Sequence, residues 1–218
     1  MPKKEDVTTV LGTSVTAGPD ISTYSSKDLK LTAQIDPVSC TDVYALVWAI
    51  TAPPDTTAMT TALYKAGNSD LVINIGDSKS ALAGLKSAVE ACPQFRVVKT
   101  HGASTYAVGD SVSDFTISSV TMPTPDALDI SVTSRAQILM SIEDTCMGTA
   151  SPAAGCVENR TDVVNQSLRR SGSNLVSAWG VGTTEVDGKP STDPQIPMAA
   201  VNQFADVVTS QVAALAKP

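Results

Sequence analysis

The chain has 218 residues, 42% of them hydrophobic but only 4% aromatic, with 17% charged residues and a net charge of −7. That apolar content suffices for a core, built from Val, Leu, Ile and Ala rather than from rings, and a chain of this size buries roughly 70% of its unfolded surface. The acidic balance and dispersed Lys and Arg argue against nucleic acid and anionic lipid, which need clustered positive charge. Apolar stretches such as Val43–Ala52 reach about half of the ~20 residues that cross a bilayer.

In chain order, Val7, Val10 and Leu11 stand at helical spacing and Gly12 stops the pattern, so Lys3–Gly12 reads as a short helix. A Thr/Ser/Gly/Pro run to Ser26 reads as an extended surface segment. Val43, Leu46, Val47 and Ile50 share a helical face over Thr41–Ala52, and Pro53-Pro54 ends it. Residues Ala58–Lys65 fit helix and strand alike. Leu71–Ile75 is a β-branched run and hence a buried strand. Asp77 or Ser78 then caps a helix with Ala81, Leu82, Leu85, Ala88 and Val89 on one face, closed by Pro93.

The middle of the chain is β-like. Phe95–Thr100, Thr105–Val108, Asp114–Met122, Ala127–Thr133 and Gln137–Ile142 are β-branched segments, with turns at Gly109-Asp110 and Pro123–Asp126. In Leu128–Val132, apolar and polar residues alternate, as in an antiparallel strand with one buried face. Asp162–Arg169 and Asn174–Gly180 read as a hairpin around Gly172, and Val181–Pro197 as a polar loop. Val201, Phe204, Ala205, Val208, Val212 and Leu215 repeat at i, i+3, i+4, i+7, so an amphipathic helix ends the chain. The fold class expected is α+β: an antiparallel β-sheet packed against several helices, in one domain spanning 1–218 with 1–26 partly extended. No internal repeat is present.

Four cysteines, Cys40, Cys92, Cys146 and Cys156, carry the strongest functional information. None forms a C-x-x-C pair, and the single histidine cannot complete a tetrahedral zinc site, so metal binding is not expected. Two disulfides are, which places the chain in an oxidising, extracytoplasmic compartment of the cell envelope or outside the cell. Met1-Pro2-Lys3-Lys4 runs at once into Glu5 and Asp6, with no signal peptide. The expectation is a trimmed chain in which Met1 replaces a signal, lipobox or membrane anchor. The alternative is a cytosolic protein with four free thiols.

Several pieces together resemble a known family. They are the helix Glu5-Asp6-Val7-Thr8-Thr9-Val10-Leu11-Gly12, the step Pro37–Cys40 before a helix, and the helix Ser78–Cys92 ending in Ala91-Cys92-Pro93. The run Tyr106-Ala107-Val108-Gly109 and a closing strand, loop and amphipathic helix complete the set. They are similar to the PknH-like extracellular sensor-domain family of mycobacterial and actinobacterial envelope proteins and lipoproteins. The resemblance implies a ligand-sensing module with a cleft, not an enzyme, and no catalytic residue or cofactor. The pairing expected is Cys40 with Cys92 and Cys146 with Cys156, while the nested and crossed pairings stay open.

Gly76-Asp77-Ser78 follows a strand and opens a helix, as in Gly-Asp-Ser hydrolases, so an exported serine hydrolase using Ser78 and His101 is the competing function. Such enzymes need an Asp three residues before the base, where Val98 stands here. A helix cap explains Ser78 as well. A third possibility is a structural envelope protein that assembles through its C-terminal helix. His101, Tyr106 and Trp179 are the candidate ligand contacts. Trp48 reads as core edge, and Arg169-Arg170 as a solvated hairpin tip. The expected partner is a small apolar or glycan-type ligand, or an envelope protein, held in a groove between the sheet and a helical or loop wall. Disulfides fix its rim, and Val181–Pro197 is its mobile side.

Overall fold

The computed structural model of the chain describes residues 1–25, 33–49, 56, 58–99, 109–140 and 156–216. Helix α1 spans Lys4–Leu11, and its C-cap Gly12 takes the left-handed conformation (φ 65°) that a side chain disfavours. Strands β1 (Ala17–Ser25) and β2 (Ala33–Asp36) follow. Then comes a continuous helical segment, a 3₁₀ turn at Val38–Cys40, α2 at Thr41–Tyr44 and a π turn at Ala45–Ala49. Strands β3 (Ala58–Ala66) and β4 (Ser69–Asp77) precede helix α3 (Leu82–Glu90) and strand β5 (Gln94–Lys99). Four long strands, β6 (Ser111–Thr124), β7 (Ala127–Leu139), β8 (Val157–Ser171) and β9 (Asn174–Val186), form a meander. Strand β10 (Lys189–Pro190) and helix α4 (Met198–Leu215) close the chain.

Nine strands make one antiparallel sheet in the order β1-β3-β4-β9-β8-β7-β6-β5-β2, with β10 paired to β9. The meander is its centre because each strand pairs with the next through a short turn, Pro125-Asp126 after β6 and Gly172-Ser173 after β8. Strand alternation divides the core between two faces. On one face, Leu128, Ile130, Val132, Val164, Leu168 and Trp179 meet the helical segment 38–49 and α3. On the other, Ile73, Val176 and Ala178 meet Val201, Phe204, Ala205 and Val208 of α4 and Val7 of α1. Gly180 is required there, since a Cβ would lie 2.5 Å from Ile196 Cγ2. No described helix is long and apolar enough to cross a membrane.

The α+β antiparallel expectation holds, with corrections. Residues 127–139 are one strand, because Ser134 and Ala136 keep the inward alternation through the stretch read as a break. Ala58–Lys65 resolves into β3, committed by pairing with β4 rather than by its own propensity. Helix α3 begins at Leu82, with Ala81 as its N-cap, so neither Asp77 nor Ser78 caps it. Its buried face is Leu82, Leu85 and Val89, and Ala81 and Ala88 are exposed. The expected loop Val181–Pro197 starts within β9, and its remainder is tied to the α4 face. Asn165 Nδ2 donates to Ile196 O at 2.9 Å, Gln195 Nε2 to Thr183 O at 2.7 Å, and Ile196 is buried. The stretch packs on that face through these contacts. Thr105–Val108 lies outside the described residues.

Candidate functional site

The sequence supplies nine aromatic side chains, and five of them, Tyr44, Trp48, Phe95, Phe115 and Trp179, gather at one place. Phe95 and Phe115, paired across β5 and β6, stack with centroids 5.0 Å apart. Tyr44 meets Phe115 edge-on at 5.6 Å, Trp48 meets Phe115 at 5.2 Å, and Trp48 meets Trp179 at 6.2 Å. Such edge-to-face pairs contribute about 0.5–1.5 kcal/mol each beyond the area they bury.

The helical segment 38–49 is held by three devices, two to the sheet and one to the end of α3. A short helix ending in a π turn leaves carbonyls without helical partners. Two of these are met by side chains rising from the sheet: Gln166 Nε2 donates to Leu46 O at 2.9 Å, and Trp179 Nε1 donates to Val47 O at 2.9 Å. The Cys40–Cys92 disulfide joins the start of the segment to the end of α3. The segment is thereby a fixed wall standing on the sheet.

Between that wall and the outer ends of β5–β8 lies a cleft of about 250 Å³. Tyr44, Trp48 and Phe115 form its apolar side, and Lys99, Ser111, Ser113, Arg160 and Asp162 its polar side. Asp162 is buried at 3% exposure, and its Oδ1 accepts from Arg160 Nε at 2.7 Å and Thr183 Oγ1 at 2.8 Å. This ion pair fixes Arg160 at the rim with guanidinium donors to spare, because an Arg carries five N–H groups and Nε uses one. Burial pushes the Tyr44 phenol above its usual range, so it stays protonated and able to donate. The cleft therefore offers ring faces on one side and hydroxyl, ammonium and guanidinium donors on the other. No cluster of His, Cys, Asp and Glu able to hold a metal occurs among the described residues.

The expected site residues are distributed as follows. Trp179 is 9% exposed and stands behind Trp48, outside the lining. His101 and Tyr106 lie outside the described residues, in the segment joining Lys99 to Gly109, both of which line the cleft. Cys40 and Cys92 are bonded. Cys156 is buried, and Cys146 lies outside the described residues. Trp48, read as core edge, does pack half-buried against the core, and it is also a wall of the cleft. One signal could have found it: a ring displaced from the Val43–Leu46–Val47 stripe, in a chain so short of rings. Arg169 is not a solvated tip. It is buried and pairs with Asp129 at 2.7 Å and Asp206 at 2.6 Å. Ser78 is buried at the end of β4, its Oγ accepting from Ser80 N–H at 3.3 Å and its carbonyl from Arg170 Nη1 at 2.9 Å. It serves a turn, and nothing supports a nucleophile there.

No family model matches the sequence, and no curated protein matches it. Among solved structures, the chain is similar to the extracellular domain of PknH from Mycobacterium tuberculosis, with a TM-score of 0.55, 12% identity, and coverage of 97% of this chain and 92% of that one. An uncharacterized Mycobacterium smegmatis protein, the Rv0999 ortholog, aligns with a TM-score of 0.43 at 11% identity over 97% of this chain and 96% of that one. The first likeness, at so low an identity, is one of fold, and the fold is the one the sequence resemblance implied.

Proposed function

We propose that this chain is a non-enzymatic, extracytoplasmic sensor-type binding domain of a bacterial cell-envelope protein, and that the cleft beside Trp48 takes a small neutral ligand with a ring face and hydroxyl groups. The observation that carries the reading is the gathering of five rings of an aromatic-poor chain at one place, where three of them, Tyr44, Trp48 and Phe115, wall a cleft whose opposite side is polar. Ligand sites are concave, largely apolar, and provided with a few placed polar groups. The volume of about 250 Å³ is below that of drug-sized sites, which suits one sugar ring or an apolar group of similar size. The fold shared with the PknH extracellular domain supports the compartment and the sensor role, as does the disulfide. The second disulfide, Cys146–Cys156, and a lipid or membrane anchor beyond this sequence belong to the same proposal. Within it, His101 and Tyr106 are ligand contacts by their place between two residues of the lining, and Trp179 acts through Trp48.

Intrinsic tryptophan fluorescence and thermal shift against soluble envelope glycans, monosaccharides and short-chain lipids test the proposal. Binding by one class, lost at least tenfold in Trp48→Ala, is the expected result. A flat response to all classes, or an unchanged affinity in the variant, refutes it.

A further inference from the structure

A second feature lies outside that cleft. Five residues stand in register across the sheet: Arg96 on β5 opposite Asp114 on β6, Asp114 opposite Arg135 on β7, Arg135 opposite Thr161 on β8, and Thr161 opposite Glu185 on β9. Strand alternation puts Arg96, Asp114 and Arg135 on the face away from the aromatic cluster, since Phe95 and Phe115 point into it. Directly opposed side chains lie about 5 Å apart at Cβ, so Asp114 has a guanidinium on each side. It takes Arg96, with Nε to Oδ1 at 2.7 Å and Nη2 to Oδ2 at 3.0 Å. Both carboxylate oxygens are thus engaged by one fork, the strong bidentate geometry. Arg135 is left exposed, with no ion pair or side-chain hydrogen bond among the described residues, and the same holds for Glu185. Both border a trough of about 630 Å³.

We propose that this trough binds a short peptide with free termini, its carboxylate on Arg135 and its ammonium toward Glu185. The charge balance decides the class. A lone anion satisfies only Arg135, and a lone cation only Glu185. A ligand carrying both charges satisfies both poles. Two strand steps of about 4.8 Å separate the poles by about 10 Å along the sheet. An extended peptide spans about 3.3–3.6 Å per residue, which sets the ligand at about three residues. Polar neighbours on the same face line the trough: the Gln137 amide donates to Asn159 Oδ1 at 3.3 Å.

The test is a titration of the isotopically labelled chain with tri-alanine, followed by amide and guanidinium resonances. Shifts are expected at Arg135, Thr161 and Glu185 and not at Trp48. Capping either terminus, as N-acetyl or C-amide, is expected to weaken binding about tenfold, the effect of losing one charge-assisted hydrogen bond. Arg135→Glu and Arg135→Gln are expected to abolish binding, with thermal melting showing that both fold. The double exchange R135E with E185R restores it to within a few fold, because the peptide binds in the reverse direction. Equal binding of the doubly capped peptide, no shift with tri-alanine at millimolar concentration, or binding unaffected by Arg135→Gln would each overturn the proposal. The Trp48 cleft is untouched by any of these outcomes.

Discussion

The indole N–H of Trp179 on β9 donates to the backbone carbonyl of Val47, 132 residues away in sequence and 2.9 Å away in space. The bond fixes the helical wall to the sheet at the point where Trp48 turns toward the cleft. Trp179→Phe keeps a ring there and removes the donor, leaving a buried carbonyl without that partner. The expected loss is about 1–3 kcal/mol of stability. It is read by urea denaturation, with Trp48 as the one remaining tryptophan, excited selectively over the four tyrosines, and Trp48 emission should shift as the wall loosens. An unchanged midpoint and spectrum would contradict the role given to Trp179.

The Cys40–Cys92 bridge closes a loop with a sequence separation of 52. In the chain-entropy model such a closure stabilises by about 4 kcal/mol. Cys40→Ala with Cys92→Ala is expected to lower stability by about that amount and to weaken any ligand of the Trp48 cleft, because the wall is no longer fixed at its start. Thiol titration of the unreduced, denatured chain is expected to find no reactive groups, and four after reduction. Two in the unreduced chain would remove the second bridge, and four would remove the oxidising compartment with it.

Arg169 joins two carboxylates of unlike surroundings. Its side chain is 11% exposed, Asp129 is 7% exposed, and Asp206 is 62% exposed. Asp129 also accepts from Ser167 Oγ at 3.0 Å and from Asn202 Nδ2 at 3.3 Å. Removing one partner of a buried pair strands a charge and costs about 3–5 kcal/mol, whereas an exposed pair contributes about 0–1 kcal/mol. Asp129→Ala should therefore destabilise several times more than Asp206→Ala. Calorimetric melting of the two variants checks it, and equal losses would show that the network is not shared as the distances indicate.

Tyr64 is buried, and its hydroxyl donates to Pro2 O at 2.6 Å, tying the N-terminus to β3. Burial, reinforced by the Asp6 carboxylate, pushes its phenol up to about 12. The folded state then holds this proton more tightly than the unfolded chain, whose tyrosines release it near pH 10. The contribution is fully present below pH 10 and is lost as pH rises from 10 to 12. Stability should fall across that window in the native chain and fall less in Tyr64→Phe, measured by denaturation at each pH. A parallel decline in both would remove Tyr64 as the cause.

Much of the architecture is legible in the residues because it depends on local patterns. The stripe of α4, the stop of α1 at Gly12 and the hairpin at Gly172 follow from spacing and backbone freedom. The errors fall where neighbours decide. Ser134-Arg135-Ala136 reads as a gap, yet pairing on both sides carries β7 through it. Gly76-Asp77-Ser78 reads as a cap, yet β4 extends through Asp77 beside β9 and the helix begins later. Arg169 looks solvated at a tip until α4 lays Asp206 over it.

The candidate site was legible only in part. Cys40 and Cys92 were recognised, and a groove between sheet and helical wall was expected, but Trp48 was read as core edge and Arg160 and Asp162 were not singled out. By itself the sequence determined an antiparallel sheet with amphipathic helices, because strand and helix periods are written in nearest-neighbour spacing. Only the tertiary structure decided that Trp48 faces a cleft, that Trp179 supports it, and that Arg135 and Glu185 lack partners among the described residues. Those facts depend on which strand lies beside which and on which cation reaches a shared carboxylate first, and both are settled by contacts between residues far apart in the chain.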